Sequence, residues 1–173
     1  IMLASDVSTS MLAMDLRPNR LEASKEVAKE FVASRENDNI GLTIFAGESF
    51  TQCPLTIDHN ALSVMIDGVD CEIAAKGIID DGTAIGMGIA NSILRLKDSK
   101  AKSKVIILLT DGVNNRGEIA PLTAAEMAKE YGIKIYTVGV GTKNETAPYP
   151  TPYGVQQIPV EIDEATLQGI ADI

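Results

Sequence analysis

A chain of 173 residues, 45% of them hydrophobic, is long enough for one cored domain and short for two. Its net charge of −9 argues against nucleic acid and anionic membrane surfaces as partners, and leaves room for a cation. The longest run of large aliphatics, "VIILL" at 105–109, is far too short to cross a bilayer.

In chain order, "IMLAS" (1–5) reads as a buried strand. "NRLEASKEVAKEFVASR" reads as a helix: Asn19 can cap it, Glu22 completes a capping box, and Leu21, Val27, Ala28, Phe31 and Val32 share one face. "NIGLTIFA" (39–46) is a second buried strand. "SFTQCPL" (49–55) alternates and carries Pro54, which suits a sheet edge. Residues 58–69 read as a short helix. "GTAIGMGIANSILRLK" (82–97) is helical, with Ile85, Ile89, Ile93 and Leu96 aligned. "KVIILLT" (104–110) is apolar on both faces, the mark of a central parallel strand. In "PLTAAEMAKEYG", Thr123 and Glu126 form a second capping box and Gly132 can end the helix. "IKIYTVGV" (133–140) is another strand. Residues 141–159 form a Pro/Tyr-containing loop, and Asp163 caps a final helix.

Strands alternating with helices predict a doubly wound, mostly parallel α/β sheet, Rossmann-like, with helices on both faces and one antiparallel edge strand. The whole chain, 1–173, is expected to be a single domain cut at both ends. The first strand is entered partway, no leader pattern precedes it, and "LQGIADI" stops inside a helical pattern. Cys53 and Cys71 are too few for a disulfide framework and have no metal spacing; two free thiols are expected, with a single bridge as the alternative.

In such a sheet, ligands bind at the carboxyl ends of the strands. Three polar clusters fall there: Asp6, Ser8 and Ser10 after the first strand, Thr83 in "DDGTAIG", and Asp111 after "KVIILLT". Taken singly, these read as a turn or cap, a helix N-cap and a post-strand turn. Together they are five hard oxygen donors with no His or Cys, which disfavours zinc and copper and suits Mg²⁺ or Mn²⁺ more than Ca²⁺. Two aspartates can neutralise the ion, while the neutral hydroxyls leave it electrophilic. An incoming carboxylate is the natural occupant of an open coordination place.

These residues form the pattern D-x-S-x-S, then T, then D. The chain therefore resembles a von Willebrand factor A domain with a complete metal-ion-dependent adhesion site on Asp6, Ser8, Ser10, Thr83 and Asp111. "PNRLEASKEVAKEF", "GLTIFAGESFTQCPLT", "DDGTAIGMGIA" and the stretch from Ser99 to Thr142 are similar to the bacterial aerotolerance (Bat) proteins. One departure is Thr9, where that family commonly has Gly. The resemblance implies that Ser8, Ser10 and one of Thr83 or the aspartates touch the metal directly, the others through water. It also implies a last strand beyond Ile173 and flanking segments that anchor the protein in a bacterial membrane, with the periplasmic face favoured. The partner would be a protein supplying a carboxylate, among other Bat-type proteins or a MoxR-type AAA+ ATPase system.

Other functions fit less well. A haloacid-dehalogenase-like phosphotransferase using Asp6 wants a second Asp two residues on, where this chain has Ser8. A serine hydrolase needs a base, and the only histidine, His59, reads as a surface residue at a helix start. "GMGIAN" (86–91) follows no strand, so a dinucleotide site is disfavoured; its glycines are expected to let a helix pack closely under the metal rim. A metal-free interaction module remains the other reading. No enzyme activity is expected.

Overall fold

The computed structural model describes residues 1–160 and 162–173. Its centre is the strand β1 (Met2–Asp6), buried at every position because helices cover both of its faces. β1 pairs in parallel with β2 (Ile40–Phe45) on one side and with β4 (Lys104–Thr110) on the other. The sheet closes with β3 (Ser49–Thr56) and β5 (Ile133–Gly139) in the order β3-β2-β1-β4-β5. Only β3 runs antiparallel, at the edge, as its alternation and Pro54 require. Pro54 sits where the β2–β3 register slips, so its missing N–H falls at an irregularity of the ladder. The doubly wound, mostly parallel class is borne out.

Alternation along the strands sends side chains to two cores. Leu3, Leu42 and Ile44 pack under α1 (Arg20–Ala33) and α2 (His59–Asp67). A four-residue turn, α3 (Glu72–Ala75), follows on the same side of the chain. Met2, Ala4, Phe45, Ile106 and Leu108 pack under α4 (Ile85–Leu96), α5 (Pro121–Glu130) and α6 (Glu164–Asp172). The aligned stripe Ile85, Ile89, Ile93 and Leu96 is the buried face of α4. Both cysteines are free and buried.

The helix starts follow local chemistry. The Asn19 side chain accepts from the Glu22 amide at 2.8 Å, and Asp163 accepts from the Thr166 amide at 2.9 Å. The reciprocal arm of the first capping box does not form, because the Glu22 carboxylate takes Lys25 Nζ at 2.7 Å instead. The second capping box is corrected: α5 begins at Pro121, so Thr123 lies within its first turn. Proline has the φ a first helical residue needs and lacks the amide that would go unsatisfied there.

The Pro/Tyr loop is also corrected. Residues 146–159 form a hairpin of β6 (Thr146–Thr151) and β7 (Gly154–Pro159), separate from the main sheet. Pro148 directs its carbonyl away from β7, toward the Met14 amide at 2.8 Å. Pro148 and Pro150 therefore occupy positions whose main-chain groups face outward, and their missing N–H groups break no rung. The turn is Thr-Pro-Tyr-Gly, a type I signature with proline second and glycine last, and Gly154 has φ +107°.

The close packing of α4 depends on two glycines. A Cβ on Gly88 would come within 2.6 Å of the Phe45 ring, and one on Gly86 would collide with the Ile119 carbonyl oxygen. Alanine gains about 1 kcal/mol of helix propensity at either site, but overpacking costs typically ~1–3 kcal/mol. Gly86→Ala should be the more damaging, because a backbone must yield rather than a ring. Chemical denaturation of the two variants checks this; equal stability to wild type at position 86 would contradict it.

Candidate metal centre

β1 and β4 are parallel neighbours, so their carboxyl ends share one rim. Ser5 pairs with Leu109, and the next residues, Asp6 and Thr110, end side by side. Thr110 Oγ1 donates to Asp6 Oδ2 at 2.6 Å, and the Ser8 amide donates to Asp6 Oδ1 at 2.9 Å. Ser8 is extended, and a 3-10 turn over Thr9–Leu12 follows it. That change of backbone brings Ser10 back against Ser8, with the two hydroxyl oxygens 2.9 Å apart in a hydrogen bond. Asp6, Ser8, Thr83 and Asp111 are all buried.

Thr83 is held from the β4–α5 connection. Its amide donates to Asn115 Oδ1 at 2.9 Å, and the Ile85 amide donates to Asn114 Oδ1 at 2.9 Å. Thr83 is therefore not the N-cap of α4, which begins at Ile85; the asparagines supply the acceptors that the helix start needs. Asp81 ties the same segment to the first loop, accepting from the Thr9 amide at 3.1 Å and the Thr9 hydroxyl at 2.6 Å. Thr9, the departure from the expected glycine, is thus used as a tether. Tyr149 of the hairpin donates to the Thr9 carbonyl at 3.1 Å.

The rim is electrostatically loaded. Burial, and then the neighbouring Asp111 charge, push the Asp6 carboxyl up to about 7, against the hydrogen bonds from Ser8 and Thr110. Asp111 Oδ1 accepts from the Val113 amide at 3.3 Å, and its Oδ2 accepts from Arg20 Nη1 at 3.2 Å. Gly112, with φ +84°, makes the turn between them. Arg20 in turn grips Asp15 with Nε and Nη2 at 2.8 and 2.9 Å. Burial would raise the Asp15 carboxyl, but the Arg20 and Thr142 hydrogen bonds outweigh it and hold it at about 2.

Ser10, Arg20, Thr83, Asp111 and Asn115 line one cavity of about 320 Å³, walled on its far side by residues 158–160 of the hairpin strand and its exit. Asp6 and Ser8 do not line it; they stand behind, joined to it through Ser10 and through their position beside β4. All five predicted residues thus converge on one rim. The sequence reading missed Arg20, Asp15, Thr110, Asp81 and the asparagines. "NN" directly after "TDGV" was a legible signal for a polar clamp, whereas Arg20 in a first helical turn looks like any solvated charge.

Two adjacent buried carboxylates amid hydroxyls are a donor set for a hard cation. Among the described residues no cluster of three or more His, Cys, Asp or Glu exists, so any such ion must draw on the hydroxyls. His59 is remote: its ring bonds the Asp38 carbonyl at 2.8 Å, before the start of β2 and so at the opposite end of the sheet.

Comparisons with known proteins agree with this fold. The family model for the von Willebrand factor type A domain matches residues 1–151. An aerotolerance-related membrane protein from Bacteroides fragilis, solved with multiple mutations to serine, is 32% identical with a TM-score of 0.86, covering 99% of this chain and 85% of that one. The conserved hypothetical protein BatB of Bacteroides thetaiotaomicron is 33% identical with a TM-score of 0.87, covering 99% and 84%. Proximal thread matrix protein 1 from the mussel byssus, solved with a zinc-occupied MIDAS motif, is 26% identical with a TM-score of 0.72, covering 98% and 38%. An uncharacterized protein of Borreliella burgdorferi is 38% identical over 146 residues, 84% of this chain and 41% of that protein. The chain spans about half the length of the curated relatives it matches. With the family model matching residues 1–151 of its 173, the chain belongs to the von Willebrand factor type A domain family.

Proposed function

We propose that this chain is a metal-dependent protein–protein interaction module of a Bat-type bacterial membrane protein. Asp6, Ser8, Ser10, Thr83 and Asp111 would hold a divalent cation, Mg²⁺ or Mn²⁺. When bound, that ion supplies an electrophilic centre for an acidic side chain of a protein partner. The observation that carries the reading is the pair of buried acids, Asp6 and Asp111, beside the Ser8–Ser10 hydroxyl pair, with Ser10 and Asp111 opening onto a cavity and Asp6 and Ser8 behind them. The zinc-occupied motif of the mussel relative supports it by likeness. Among the described residues no helix is long and apolar enough to cross a membrane. We assign anchoring to flanking segments of the longer protein, with the domain on the periplasmic face. The candidate partners are other Bat-type proteins or a MoxR-type ATPase system.

A cation that binds only the folded state should raise stability by about 2.7 kcal/mol at a hundredfold over its dissociation constant. Thermal melts in Mg²⁺ and Mn²⁺ test this. Asp111→Ala should abolish both the metal-dependent rise and partner binding while circular dichroism stays native. An unmoved melting temperature in wild type would defeat the metal reading.

The hairpin offers a second test. Residues 158–160 wall the cavity and the turn residue Tyr153 is 94% exposed, which supports a role for the hairpin in docking a partner. Replacing the hairpin by a short Gly/Ser linker should preserve Mg²⁺ binding but weaken partner binding about tenfold or more, 1.4 kcal/mol. Unchanged partner affinity would show that the hairpin selects nothing.

His59, the one histidine, lies at the opposite end of the sheet, and the Thr110 hydroxyl that meets the Asp6 carboxylate is fully buried, so no turnover is expected. Phosphate, ester or peptide hydrolysis that disappears in Asp6→Ala would overturn the binding-module reading in favour of the phosphotransferase one.

A further inference from the structure

Arg20 is the largest fully buried side chain of the described residues, with 1% exposure. A guanidinium taken out of water needs anions with good geometry. Asp15 provides them bidentately, and Asp15 is itself pinned by the Thr142 amide and hydroxyl at 2.8 and 3.1 Å. Gly141 makes space for this knot, since a Cβ there would come within 2.9 Å of Arg20 Nη2. Asp15 alone balances the Arg20 charge. The remaining nitrogen, Nη1, reaches Asp111 Oδ2 at 3.2 Å.

That last contact is long for a bond between charged groups, which are usually about 2.7–2.9 Å apart. It is the arm Arg20 can surrender without losing its own partner. Its effect falls on the other side. Asp6 and Asp111 are neighbouring buried acids, and the only cation among their described hydrogen-bond partners is Arg20, acting on Asp111. Arg20 also lines the cavity with Ser10, Thr83 and Asp111, so it stands where a bound cation would feel its charge.

We propose that Arg20 is a built-in counter-cation that competes with the divalent ion for Asp111, holding the metal-free rim together and weakening metal binding. The inference rests on the metal reading of the site given above. Two cations near one carboxylate repel each other, and the guanidinium, tethered by Asp15, cannot diffuse away. Metal binding must therefore displace the Arg20 arm from Asp111 Oδ2.

The test uses Mg²⁺ as the probe, by calorimetry on wild type, Arg20→Gln and the double variant Asp15→Asn/Arg20→Met. The double variant removes the charge pair together, so no buried acid is orphaned at Asp15. It should bind Mg²⁺ about tenfold more tightly than wild type, because Arg20 touches Asp111 and lines the cavity whereas the Asp15 carboxylate removed with it does neither. Arg20→Gln should melt lowest without metal and gain most from it. Equal Mg²⁺ affinity in wild type and the double variant overturns the inference and leaves the metal reading standing. Weaker binding in the double variant also overturns it, since Arg20 would then position Asp111 for the ion. Binding in the variant alone supports the inference in its strongest form. Binding in neither overturns the metal reading, and the inference falls with it. If the double variant does not fold, the side-chain ¹⁵N resonances of Arg20 in wild type decide. A shift on Mg²⁺ saturation supports displacement, and unchanged resonances contradict it.

Discussion

Two parallel strands that end next to each other place Asp6 and Asp111 in one small buried volume, and the surroundings are arranged around that electrostatic load. Like charges out of water repel at a few ångströms far more than they would at a surface. The rim answers with neutral donors on Asp6, from Ser8 and Thr110, and with one amide and one guanidinium nitrogen on Asp111. None of these gives Asp6 a positive partner. That deficit is what makes the rim a candidate cation site rather than a polar turn; burial, and then the Asp111 charge beside it, are why Asp6 holds its proton more readily than a surface aspartate.

The support around the acids comes from segments far apart in the chain. Asn114 and Asn115 hold the start of α4 and the Thr83 amide, so one connection positions two others. Asp81 and Tyr149 grip Thr9 from opposite partners, its side chain and amide on one hand and its carbonyl on the other. Asp15, Arg20 and Thr142 tie α1 to the segment after β5. A rim knitted in this way is pre-organised, which lowers the ordering that a ligand would otherwise impose.

Below the rim the fold is a packing problem with tight tolerances. α4 lies close enough to the sheet and to the α5 connection that a side chain at Gly86 or Gly88 would force a neighbour to move. This closeness brings Thr83, just before α4, down to the level of the strand ends. The hairpin over the site is the least embedded element: most of β7 is exposed, and it meets the rest of the described chain mainly through the Met14–Pro148 and Tyr149–Thr9 contacts and its wall of the cavity. Structures related to this chain by about a third of their residues share the frame at TM-scores near 0.86.

Much of this was legible in the residues alone. Period-two and continuous apolar runs gave the strands, and Asn19 and Asp163 announced their helices, because these signals are local and depend on near neighbours. The placement of Asp6, Ser8, Ser10 and Asp111 was likewise readable, since they follow two parallel strands whose carboxyl ends share one rim, while Thr83, ahead of α4, is brought to that rim by the Asn115 clamp. The hairpin was missed because prolines argue against strands unless their outward register is known, and register is a property of the pairing. The α5 capping box misled because proline outcompeted it for the helix start. What only the tertiary structure decided was the environment of the charges. Whether Arg20 is solvated or sealed against Asp15 and Asp111 depends on residues five and ninety-one positions away, and no local pattern carries that distance. Burial and charge pairing are set by the whole packed molecule, and they are what make five oxygen-bearing residues a candidate cation site rather than separate turns and caps.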